Sequence, residues 1–129
     1  MFKYLSIFSV LLTLSTSLSQ ANANDIAYFG FEPDIVTNYV AVKKKMGYVR
    51  LTVELMVEGD DLTIVEHHSP LLRDAIINII GQQAEAKVKS MKGRAEIQLQ
   101  CEEEVKELLT KETGQPLIKK LLFTQWLDN

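Results

Sequence analysis

The run YVRLTVELMVE over residues 48–58 limits what this chain can fold into more than any other segment. Val49, Leu51, Val53, Leu55 and Val57 alternate with Tyr48, Arg50, Thr52, Glu54, Met56 and Glu58. Successive side chains of a strand point to opposite faces, so this spacing commits one face to a core and the other to water. Gly59-Asp60-Asp61 ends the run. Asp60 or Asp61 is expected to cap a short helical turn through Leu62, Ile64 and Val65, which leads past Glu66, His67 and His68 into a longer helix.

That helix, SPLLRDAIINIIG at 69–81, has marked ends. Ser69 is expected to cap its start, Pro70 tolerates the first turn because its missing N–H would be unpaired there, and Gly81 is expected to close it in a left-handed conformation. At about 100° per residue, Leu71, Leu72, Ala75, Ile76, Ile79 and Ile80 share one broad half of the cylinder. Arg73, Asp74 and Asn78 share the other half, and Ile77 lies among them. So few polar positions point toward a partner surface. Ile77 is either covered by another element of the domain or part of a docking strip.

The remaining segments predict smaller elements. In AYFGFEPDIVTNYV at 27–40, Pro33 removes a ladder donor and separates two short edge segments, Tyr28 to Phe31 and Ile35 to Val40. Lys43-Lys44-Lys45-Met46-Gly47 reads as a hairpin-like connection, either a solvated turn or a point of attraction to anionic lipid. From Gln82 to Lys92 a polar stretch carries Val88 and Met91 as the contacts of a short helical piece, and Gly93 is expected to break it. A second long helix follows, with Ile97, Cys101, Val105, Leu108 and Leu109 as its apolar stripe and Glu102, Glu103, Glu104, Lys106 and Glu107 as a solvated face. Lys111, Gly114 and Pro116 supply stop signals. In LIKKLLFTQWLDN at 117–129 both alternating sets contain apolar residues, which predicts a final strand that is central or well covered. The fold class is α+β, a sheet of about three to four strands with two main helices packed on it, in the order strand, strand, helix, helix, strand.

The start of the chain bears on where it works. Met1-Phe2-Lys3-Tyr4, an apolar stretch from Leu5 to Leu14, and Ala21-Asn22-Ala23 are the three parts of a secretory signal peptide over residues 1–23. The alternative is that this segment is retained as a membrane anchor. Cleavage after Ala23 leaves 106 of the 129 residues as one domain, residues 24–129, with a charge of −4 rather than −3 because Lys3 is the only charge removed. A net acidic, exported domain argues against a nucleic-acid partner. Cys101 is the only cysteine, so no internal disulfide can form; the alternatives are an intermolecular disulfide and a packed free thiol, and the helical spacing, which puts Cys101 on a buried face, favours the packed thiol.

Catalytic and metal-binding patterns are weak. Glu66-His67-His68 with Asp74 is the best candidate set, yet adjacent histidines on a helix diverge by about 100° and form no H-E-x-x-H or H-x-x-E-H pattern. There is no nucleophile elbow, phosphate loop or C-x-x-C pair. The chain therefore reads as non-enzymatic, with no cofactor and no metal assigned.

Tyr28-Phe29, Phe31-Glu32-Pro33, Thr37-Asn38, the strand at 48–57, Pro70-Leu71-Leu72-Arg73-Asp74-Ala75-Ile76, Gly93-Arg94 and Phe123-Thr124 together resemble the periplasmic domain of the flagellar basal-body-associated FliL family. The P-x-x-R-D-A-I pattern and the closing F-T step are the most specific of these. The resemblance implies a stomatin-like α+β domain in the bacterial periplasm, near the inner membrane. It implies a homo-oligomer around or beside the stator units that supports swimming or swarming. Members of that family usually carry a full membrane span and a linker, where this chain has a leader that looks cleavable and a linker of a few residues. The alternative function is a periplasmic adaptor or metal-binding protein of the same fold with no motor role. Under the motor reading, Arg73, Asp74, Ile77 and Asn78 form a partner-facing strip supported by Leu72, Ile76 and Ile80. Under the plainer reading, Arg73 and Asp74 form an intramolecular pair, or Asp74 simply complements the helix start.

Overall fold

The computed structural model describes residues 25–42 and 46–129, so the leader over 1–23 and the lysines at 43–45 lie outside the described residues. Strand β3 (Gly47–Glu58) is the axis of the sheet. On one side β1 (Ile26–Gly30) and β2 (Ile35–Tyr39) lie end to end, β1 antiparallel to residues 54–58 and β2 antiparallel to residues 47–51. On the other side β4 (Ile118–Asp128) runs antiparallel along β3 from Val49↔Asp128 to Val57↔Ile118. The Phe31–Asp34 connection, with its cis Glu32–Pro33 bond, separates β1 from β2 as the proline suggested.

Burial follows the period of two. Val49, Leu51, Val53, Leu55 and Val57 are all at 0% exposure, and the helices cover the face they form. A 3-10 turn at Gly59–Asp61 runs into α1 (Leu62–His67) and α2 (Ser69–Gly81). A single turn, α3 (Glu85–Val88), then precedes the long α4 (Met91–Thr113). Helix α2 packs on β2 and α4, and α4 also packs on β4. The stripe Gly93, Ile97, Cys101, Val105 and Leu109 is buried, a strict spacing of four with Leu108 only half-buried beside it. The architecture is thus the expected α+β fold.

Local chemistry departs from expectation at several joints. Ser69 does not cap α2, because α1 runs almost directly into it: His68 holds the cap position without a side-chain bond, and Leu72 N donates to His68 O at 3.2 Å. Asp60 and Asp61 likewise make no side-chain cap to the helices they precede. Gly81 is not left-handed. The helix instead runs on through Gln82 at φ −95°, and the left-handed cap belongs to Gly114 at φ 86°, whose N–H donates to Thr110 O. Met91 is 87% exposed and opens α4, so Val88 alone anchors the short helical piece.

Gly93 is not a break but lies in the first turn of α4, where its N–H donates to the Ser90 Oγ cap at 2.9 Å. Glycine is required there because a Cβ would collide with the backbone of Lys87 in α3. Close approach of two backbones and a chain break leave the same glycine in a sequence.

Strand β4 is the other correction. It is neither central nor well covered: among the described residues it pairs only with β3, leaving an open edge, and most of its residues are half-buried or exposed. Ile118 and Leu121 are buried, Phe123 and Trp126 pack at the core margin, and Leu127 is 54% exposed on the open face. Side chains of α4 replace a neighbouring strand at one point, where Leu121 N donates to Glu102 Oε1 and Gln98 Nε2 donates to Leu121 O, both at 2.9 Å. Further along, Arg94 ties the strand down by an ion pair with Asp128 at 2.8 Å, a bond from its Nε to Val88 O at 2.9 Å, and its position 5.6 Å from the Trp126 ring centroid.

Cys101 is the packed free thiol that periodicity indicated, and burial pushes its pKa up to about 12.

Two outcomes are expected. Gly93→Ala, which in an open helix would stabilise by roughly 1 kcal/mol, should here destabilise by about 2 kcal/mol through overpacking, read as a lower urea midpoint. The Cys101 thiol should resist a water-soluble disulfide reagent at pH 8 until the domain unfolds. Because its folded pKa is raised, its contribution to stability is complete below pH 9 and is lost as pH climbs toward about 12.

Candidate functional site

Helix α2 presents three differently occupied sides. Leu72, Ile76 and Ile80 are at 0% exposure and form its core face, as the spacing required. Arg73 and Ile77 flank that face and are half-buried. Arg73 Nη2 donates to Pro33 O at 2.6 Å with its guanidinium 5.7 Å from the Phe31 ring centroid, and Ile77 packs against the core. Asp74 and Asn78 are exposed, joined by a bond from Asn78 Nδ2 to Asp74 Oδ2 at 3.4 Å. Of the strip Arg73, Asp74, Ile77 and Asn78, therefore, two members face water and two are drawn inward.

Arg73 does not pair with Asp74. It pins α2 to the turn between β1 and β2, a partner forty residues away that helical spacing has no means of revealing.

The side of α2 toward α4 is incompletely filled. Leu71, Ala75 and Ile79 recur every four residues and meet Leu108 of α4 across a groove of about 250 Å³, with Asp74 and Glu104 on its margins and Asn78 and Gln82 completing the α2 wall. Leu71 remains 38% exposed. Glu104 and Leu108 were not among the residues singled out from the sequence for partner contact. The available signal was only that they lie four apart beside the buried stripe; that this flank faces α2 is decided by the tertiary packing.

The histidines do not assemble a site. Their rings meet edge to face at 5.2 Å, and His68 Nδ1 lies 2.9 Å from Ile64 O, which occupies one of its two nitrogens with helix backbone. No group of three or more His, Cys, Asp or Glu side chains able to hold a metal ion converges among the described residues.

A family model described as flagellar basal body-associated protein FliL matches residues 28–127. The chain belongs to the FliL family. No curated protein matches it. Within this FliL domain, the residues that carry the resemblance make the tertiary ties described above. Arg73 reaches Pro33 O, Gly93 admits the α3 backbone, Arg94 grips Asp128, and Thr124 Oγ1 lies 3.4 Å from Thr52 O across the β3–β4 pair. No helix of the described FliL residues is long and apolar enough to cross a membrane.

Arg73→Ala should cost about 1–2 kcal/mol, since it removes a charged hydrogen bond and a ring contact together. Asp74→Ala should stay within about 0.5 kcal/mol of the parent, as an exposed side chain does. Chemical denaturation of both variants checks the contrast.

Proposed function

We propose that this FliL-family domain is a non-enzymatic accessory of the bacterial flagellar basal body that works in the periplasm beside the inner membrane. In this reading it assembles as a homo-oligomer, contacts the stator units and supports swimming or swarming. The observation that carries the reading is the family match, which runs from Tyr28 within β1 to Leu127 within β4. The leader over 1–23, read as an export signal, supports periplasmic placement. The proposed contact strip is Arg73, Asp74, Ile77 and Asn78 on α2, with Asp74 and Asn78 as its solvent-facing members.

Deletion of the coding sequence should reduce swimming or swarming while growth in liquid culture is unchanged, and the protein should co-isolate with basal bodies. Normal motility in the deletion strain, together with absence from purified basal bodies, would refute the motor role.

A further inference from the structure

The groove between α2 and α4 has an apolar floor and an acidic rim. Its floor is Leu71, Ala75, Ile79 and Leu108, and among the described residues its charged lining residues are Asp74 and Glu104. Among the described residues neither carboxylate has a cationic partner, although carboxylates elsewhere on α4 do: Glu102 pairs with Lys106, Glu107 with Lys111 and Glu96 with Lys87. Arg73, the nearest cation in sequence to Asp74, is committed to Pro33 O and Phe31. The groove therefore joins exposed apolar surface to two uncompensated negative charges.

We infer that this groove is a docking site for a basic amphipathic helix of a partner protein, which seats apolar residues four apart on the Leu71–Ala75–Ile79 row and sets Lys or Arg side chains against Asp74 and Glu104. A cleft between two helices whose wall repeats every fourth residue accepts a third helix by the same ridge-and-groove geometry that packs helices together. The charge decides among occupants. An acidic rim repels anionic lipid headgroups and phosphate backbones, and it favours a cationic peptide both during approach and once bound. This inference deepens the partner-docking role proposed above, and it rests on that reading only in taking α2 as the docking helix.

The test uses the full-length protein in motile cells, with a photo-crosslinking amino acid at Leu71 and a control at Met91, which is exposed but outside the groove. The expected adduct forms at Leu71 and not at Met91. Peptide mapping should place it in a partner helix with apolar residues four apart flanked by at least two Lys or Arg. Adduct yield should fall at least roughly tenfold in Asp74→Lys/Glu104→Lys and several-fold in the isosteric Asp74→Asn/Glu104→Gln, with thermal midpoints unchanged.

An adduct to a second copy of this chain, an adduct to an acidic or extended segment, no adduct at Leu71, or a yield indifferent to both double variants would each overturn the inference. The two proposals fail separately. A basic helix captured from a protein outside the motor, in cells whose motility survives deletion, sinks the motor role and keeps the groove. Motility that depends on the chain without a basic helix at Leu71 does the reverse.

Discussion

The domain depends on the burial of one face of β3. Five apolar side chains at positions 49, 51, 53, 55 and 57 lose all contact with water, and each must be covered by something distant in sequence. Two edges flank the strand, with β1 and β2 sharing one and β4 occupying the other. Because burial of apolar surface is non-directional, it draws the helices onto that face but does not set where they sit. Position comes from a few polar contacts at the margins.

Those contacts pin the helices to the sheet. Arg73 holds α2 to the β1–β2 turn, Arg94 holds the start of α4 to the end of β4, and Gln98 with Glu102 holds the middle of α4 to the backbone of Leu121. Each pin uses a charged or amide group where the core stripe meets solvent, so its charged head is not fully desolvated. Such residues look like surface chemistry in a sequence, yet they are structural here.

The helix and strand periodicities were readable because they are local. The alternation of 48–58, the faces of 69–81 and the four-residue stripe of the second long helix depend on backbone geometry alone, and the structure repeats them almost residue for residue. Ends and joints were less legible. Whether a glycine means a turn, as at Gly114, or a close approach, as at Gly93, depends on what lies beside it in space. The cap expected of Ser69 failed for a related reason, since the preceding helix already supplied the start of α2. The closing strand misled because apolar residues on both faces suggest a central position, whereas α4 and irregular pairing with β3 distribute them along an edge.

By itself the sequence determined the type of the main elements, the buried faces of the long central strand and of the two long helices, the free state of Cys101 and the resemblance to FliL proteins, because all of these are written in short-range spacing and residue identity. Only the tertiary structure decided that Arg73 and Ile77 turn inward, that Glu104 and Leu108 join α2 to form a groove, and that Asp74 has no cationic partner among the described residues. These are properties of segments thirty or more residues apart, and a chain acquires them only when burial of the β3 face brings the segments together.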